Sequence, residues 1–288
     1  MKYLAHYVIV GALCFSGILS YAFYKKSIAE EKEILENATY TILKTWELPE
    51  LLNEISGLAW VNDSTLACIQ DEDGYIYHYN LSSEEISYDV EFAENGDYEA
   101  IALDSTNAYI MRSDGRIFEV LNYAQDSISV SHFNTPFDED NNIESLAFNP
   151  KTRNLITVSK DKGLNEKRFK GLYEIPLDTK IQKENPVVQI DMNAEAFAGF
   201  QKKKEQKTFN PSDLAIHPQT GDYYIVDGKK PKLLILKPNG SFKALHELNT
   251  FHFAQPEGIT FSPDGKLYIA NEAATGVATI MEVTLDDL

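Results

Sequence analysis

The 288-residue chain has only two cysteines, Cys14 and Cys68. One falls in an apolar N-terminal segment and the other in "STLACIQD", so no disulfide framework holds the fold, and Cys68 reads as a small buried hydrophobe. Basic residues are scarce as well: 26 Lys and Arg face 44 Asp and Glu, a formal net charge of −18. So acidic a surface repels phosphate backbones, which excludes nucleic acid as a partner and favours cations and basic groups. Most of that acidity serves solubility. The common catalytic signatures are missing, with no G-x-S-x-G, no H-E-x-x-H and no glycine-rich phosphate loop. The six histidines are dispersed and form no catalytic pair.

One long uncharged run exists, "MKYLAHYVIVGALCFSGILSYAFYKK" at residues 1–26. Between Lys2 and Lys25 it holds no fixed charge over about 22 residues, enough to cross a hydrocarbon core as a helix. Ser20 and Ala22 make a small-x-small site suited to signal cleavage. Tyr21, Phe23 and Tyr24 beside Lys25 and Lys26 resemble an interfacial belt, which suits a retained signal anchor. "GALC" lacks the pattern of a lipoprotein site at Cys14. Either reading attaches the chain to the membrane or exports it, with the domain in the periplasm or cell exterior. Residues 27–38, "SIAEEKEILENA", read as a short charged linker helix.

The rest is rich in strand formers, with 16 Tyr, 15 Phe and a hydrophobic content of 43%. Five segments share an acid followed by small or apolar residues: "NEISGLAWV", "DYEAIALD", "NIESLAFNP", "PSDLAIHP" and "PEGITFSPDG". Their acids, Glu54, Glu99, Glu144, Asp213 and Glu257, are spaced by 45, 45, 69 and 44 residues. After each acid, short strands alternate with Asp, Asn, Gly and Pro turns, which indicates antiparallel meanders. A four-stranded unit of about 45 residues is a β-propeller blade. The long gap holds a lysine-rich insertion at about 193–209, "NAEAFAGFQKKKEQKTF". The fifth unit has three evident strands, and "TYTILKTWEL" at 39–48 supplies a fourth. The expected fold is therefore all-β: a five-bladed propeller over 39–288 whose last blade is closed by an N-terminal strand.

The innermost strand of each blade lines the central channel, so the five acids are expected to ring one mouth. Carboxylates so close repel one another unless a cation intervenes. Several carboxylates with oxygen-only ligation suit Ca²⁺, whereas zinc would want His or Cys, and only His217 lies near a motif. Acids at strand starts can also accept hydrogen bonds from the amides of a neighbouring blade. "DEDGYIYH" at 71–78 lacks the later acid of a calcium loop and reads as a hairpin turn. "SKDKG" at 159–163 places two lysines at a strand end near the same mouth, where solvated lysines are the default.

"EISGLAW", "DYEAIAL", "IESLAFNP", "PSDLAIHP" and "QPEGITFSPDGKLYIANE", in this order, resemble the SdiA-regulated domain family, distant relatives of NHL-repeat propellers. The likeness spans about residues 40–286. It implies a five-bladed propeller with a calcium site behind an N-terminal membrane segment, and it implies no reaction. The expected function is a calcium-binding propeller, exported or membrane-tethered, that binds a small molecule or protein at the carboxylate-lined mouth. The alternative is a metal-dependent hydrolase of lactonase or phosphoesterase type at the same site.

Overall fold

The computed structural model describes Lys25 and residues 38–286, apart from Asp126, Glu166 and Thr275. The expected membrane segment and linker helix, but for Lys25 and Ala38, lie outside the described residues. Among the described residues, no helix is long and apolar enough to cross a membrane.

Twenty strands form five four-stranded antiparallel sheets among the described residues. The first strand, β1 (Tyr40–Glu47), precedes the first complete meander: β2 (Ile55–Asn62), β3 (Thr65–Gln70), β4 (Tyr75–Asn80) and β5 (Glu85–Glu91). The second blade is β6 (Tyr98–Asp104), β7 (Asn107–Arg112), β8 (Arg116–Leu121) and β9 (Ser129–Asn134). The third is β10 (Ala147–Asn149), β11 (Asn154–Thr157), β12 (Phe169–Pro176) and β13 (Val188–Asp191), and the fourth is β14 (Pro211–Ile216), β15 (Tyr223–Asp227), β16 (Lys232–Leu236) and β17 (Phe242–Glu247). The fifth contains β18 (Pro256–Phe261), β19 (Leu267–Asn271) and β20 (Thr279–Leu285), and β1 pairs antiparallel with β20 from Tyr40–Leu285 to Glu47–Thr279.

Burial falls from the axis outward. Every residue of β3 is buried, whereas β5 is mostly exposed and alternates polar residues with Ile86 and Val90. An inner strand is covered on both faces and so reads as a continuous apolar run; an outer strand meets solvent. The innermost strands make a closed cycle: β2 packs on β6, β6 on β10, β10 on β14, β14 on β18, and β18 on β2. At two contacts of this cycle glycine lets neighbouring blades approach closely. A side chain at Gly57 would strike the backbone of Ala100 and Ile101 at 3.0 Å, and one at Gly258 would meet Leu58 Cβ at 3.0 Å.

Apolar clusters fill the space between blades. Trp46, Leu52, Leu58, Leu66, Tyr268 and Ile280 join the fifth blade to the first. The lysine-rich insertion forms two single 3₁₀ turns, Glu195–Phe197 and Glu205–Lys207. Its fully buried Phe197 and Phe209, with ring centroids 5.6 Å apart, pack among Leu172, Ile190, Leu214 and Ile225. Two aromatic anchors thus fix a segment whose lysines stay in water.

Candidate functional site

The register of the inner strands is set by five apolar residues, Leu58, Ile101, Leu146, Leu214 and Ile259, each followed by Ala or Thr. All five line one channel cavity. Two positions earlier stand Ser56, Glu99, Glu144, Ser212 and Glu257. In four blades that residue is the extra one of a β-bulge: the pairing slips between Ile55 and Gly57, Tyr98 and Ala100, Pro211 and Asp213, and Pro256 and Gly258. The third blade has only the bridge Ile143–Ser159 before pairing resumes at Ala147, so Glu144 lies outside a regular strand. A bulge re-aims one side chain without disturbing the ladder around it. Here it presents the same position in four blades, and the irregular start of the third brings Glu144 to the equivalent place.

Three of the five expected acids therefore occupy equivalent places, and two do not. Glu54 lies two residues too early, ahead of β2, and is exposed; Ser56 holds the mouth position in that blade. Asp213 lies one residue too late, and a one-residue offset turns a strand side chain to the other face. Its carboxylate is buried and accepts hydrogen bonds from the amides of Leu214 at 2.8 Å, Ile259 at 2.9 Å and Leu146 at 3.5 Å. Asp213 is a staple across blades three, four and five. The two serines do similar work: Ser56 Oγ donates to the Tyr98 carbonyl at 2.6 Å and Ser212 Oγ to the Pro256 carbonyl at 2.5 Å, each in the next blade. The glutamates at the other three positions face the channel instead.

The side chain they meet is Lys160, only 7% exposed. Its ammonium pairs with Glu144 Oε2 and lies 3.4 Å from Glu257 Oε1. Glu99 also feels that ammonium, but burial and the neighbouring Asp97 outweigh it and push its carboxyl up to about 8. Burial likewise raises Glu257, against the pull of Lys160. The backbone of Lys160 is held from three sides. Its amide donates to Asn142 O at 3.0 Å, and its carbonyl accepts Asn210 Nδ2 at 2.9 Å and the ammonium of the fully buried Lys170. Burial pushes Lys170 down to about 7. Lys160 was legible in "SKDKG" as near the mouth, yet only its neighbour Lys162 shows the solvated behaviour expected of both.

Comparison with known proteins agrees with this architecture. Residues 31–273 match the SdiA-regulated family. The chain belongs to that family. No curated protein sequence matches it. Among solved structures, it is similar to Myxococcus xanthus glutaminyl cyclase, with a TM-score of 0.57 and 14% identity over 86% of this chain and 96% of the other. It is also similar to a luciferin-regenerating enzyme, with a TM-score of 0.51 and 12% identity over 84% and 95%. A third likeness is to the PQQ-bound aldose sugar dehydrogenase of Streptomyces coelicolor, with a TM-score of 0.50 and 13% identity over 85% and 98%. At such identities the likeness is one of fold.

The calcium implied by resemblance to the SdiA-regulated family can be set against the donors at the mouth. Calcium takes six to eight oxygens. Here three glutamates at equivalent positions converge, and the space between two of them holds an ammonium. Among the described residues, no group of three or more His, Cys, Asp or Glu is arranged to hold a metal ion. As placed, these donors fit an ammonium and not Ca²⁺.

Around the mouth of this family member the charges are sorted. The loops of blades five, one and two bring Glu272, Glu54, Asp71, Glu72 and Asp97 together. Burial, then Glu54, Glu72 and Asp97, push Asp71 up to about 6. Burial, then Glu257, Asp71 and Glu54, push Glu272 up to about 7. The loops of blades three and four and the insertion carry Lys160, Lys162, Lys202, Lys203, Lys229 and Lys230. Lys230 and Lys232 lower Lys202, which is a like-charge effect. Lys232 itself is buried, 2.8 Å from Asp227 Oδ2 and over the Phe200 ring at 5.1 Å.

The other end of the channel is apolar. Leu58, Ile101, Leu146, Leu214 and Ile259, with Trp60, Leu103, Phe148, Ile216 and Phe261 beyond them, line a cavity of about 440 Å³. His217 belongs to this end, packed 4.9 Å from Phe261 and 5.8 Å from Tyr224, and takes no part in the mouth.

Proposed function

We propose that this protein is a binding propeller, held at the membrane or exported by its N-terminal segment, whose polar mouth takes a small dipolar ligand. One observation carries the reading: carboxylates gather on the loops of blades five, one and two, and lysines on those of three and four. The raised Asp71, Glu99 and Glu272 mark the acidic half as crowded with its own sign, and the lowered Lys202 marks its pairing with Lys230 likewise, while Lys162 and Lys229 pair with Asp140 and Asp161. A ligand with an ammonium at one end and a carboxylate or phosphate at the other relieves both halves at once. Ligands of a single charge relieve one and leave the other. In this reading β1 closes the ring that holds the halves face to face, and no metal is required.

Calorimetry with the purified protein tests the ligand class. Amino acids and dipeptides should bind and release protons at pH 7, because an ammonium near Glu272 and Glu99 lowers their pKa values; heats measured in buffers of different ionisation enthalpy count those protons. Simple amines and simple carboxylates should bind at least tenfold more weakly. Equal affinity for a monoamine and its zwitterionic analogue would remove the reading. Export is tested separately by a reporter fused after Leu288, where signal from the cytoplasm would contradict it.

A further inference from the structure

We propose that Lys160 is the resident cation of the polar mouth, standing where three glutamates would otherwise call for a metal ion, and that its removal turns the mouth into a divalent-cation site. This role of Lys160 does not depend on what the mouth binds.

Three buried or half-buried carboxylates from separate blades converge on the channel axis from equivalent positions, Glu99 and Glu257 from bulges and Glu144 from the irregular start of blade three. Converging carboxylates in a desolvated place need positive charge or protons. Of the mouth lysines, only the Lys160 ammonium pairs with these glutamates, touching Glu144 and Glu257.

Its placement is built into the fold and is not a stray surface pairing. The β11–β12 connection runs over 158–168, whereas the equivalent connections in blades one, two and four span 71–74, 113–115 and 228–231. Lys160 directly follows Ser159, which bridges Ile143 as Gln70 pairs with Ile55 in blade one, so it takes the first loop position and the extra length lies beyond it. Asn142, Asn210 and the buried Lys170 then hold its backbone by three hydrogen bonds. A solvated lysine needs no such support. A side chain that supplies a counter-charge to carboxylates of other blades does, because its own entropy must be spent once, at folding, to hold it there.

Substitution separates the Lys160 proposal from a metal site. In chelator, Lys160→Met should melt well below wild type, because the carboxylates lose their cation. Calcium chloride should then raise the variant by about 5–10 °C at a hundredfold excess over its Kd, while wild type and Lys160→Arg stay unmoved. A wild-type melting temperature that rises as far on calcium overturns the proposal, and so does a Lys160→Met protein as stable as wild type and indifferent to calcium. If Lys160→Met does not fold in either condition, the triple variant Lys160→Met/Glu144→Gln/Glu257→Gln decides. It should fold without calcium, since the uncompensated charges are gone, and its failure to fold would also overturn the proposal.

Discussion

In one half of the mouth, burial and mutual repulsion push Asp71, Glu272 and Glu99 up to about 6, 7 and 8; in the other, burial pushes Lys170 down to about 7 and Lys230 lowers Lys202. The two halves resist their own charges in opposite senses, although they share a ring of equivalent strands. The scaffold is thus indifferent to charge at these loops. Blades one to five repeat the same Leu or Ile anchors, while the loops above them differ in length and in the sign of their charge. What a propeller binds is written in the loops and bulges, and its stability in the anchors below them.

The comparison depends first on a closed ring. Deleting residues 40–47 removes the strand that pairs with β20, together with buried Tyr40 and Trp46 and the Trp46 Nε1 hydrogen bond to Leu81 O at 2.8 Å. The expected outcome is loss of cooperative melting, read by calorimetry. A truncated protein that melts like the full chain would show that β1 does not close the ring. Next in size is Asp213→Ala. It orphans the amides of Leu214, Ile259 and Leu146, and should cost about 3–5 kcal/mol by urea unfolding, as for a buried network that loses one partner. It should reach the titration of the mouth only through Glu257, whose charge Asp213 feels.

Much of this architecture is legible in the sequence, and the limits are physical. Repetition of acid, small residue and apolar anchor marks five blades, since each turn must use Asn, Asp, Gly or Pro. "TYTILKTWEL" stands out as a spare strand because the last unit lacks one. The register of the bulges is legible only from the apolar anchors and not from the acids. Matching acid to acid aligns Glu54 and Asp213 with Glu99, Glu144 and Glu257, yet aligning the Leu and Ile anchors shows them two positions early and one late. That signal was available, and a bulge hides it by adding one residue to the period-two pattern. The Lys160–Glu257 pair was harder to foresee, for its members are 97 residues apart and nothing local distinguishes a buried lysine from a solvated one.

Titration probes the comparison at a smaller scale, with opposite signs. The folded chain holds a proton on Glu99 up to about pH 8, while the unfolded carboxyl releases it near its ordinary 4.5. Stability from this group is complete below pH 4.5 and is lost as pH rises to about 8. Lys170 runs the other way: the folded ammonium gives up its proton near 7 and the unfolded one near 10.5, so stability rises over that window. Glu99→Gln should therefore flatten the fall and gain about 1–3 kcal/mol over wild type at alkaline pH, less than full linkage because the side chain is not wholly desolvated. Lys170→Met should flatten the rise. Melting temperatures across pH read both slopes, and equal slopes in wild type and either variant would assign the titration elsewhere.

The smallest effect on stability is the sharpest test of the sorted mouth. Lys230 is exposed, and its backbone serves the fold: its amide donates to Asp227 Oδ1 at 3.1 Å and its carbonyl accepts Lys232 Nζ at 2.5 Å. Lys230→Ala keeps both bonds, so stability should change by no more than about 0.5 kcal/mol. Its charge, however, is half of the like pair with Lys202. Removing it makes the lysine half less positive and relieves the crowding that an anionic group would otherwise relieve. Affinity for a dipolar ligand should fall several-fold, and Glu272→Gln across the mouth should lower it by a similar factor. If Glu272→Gln weakens binding while Lys230→Ala leaves it unchanged, the mouth recognises an ammonium alone, and the lysine half is only a solvated surface.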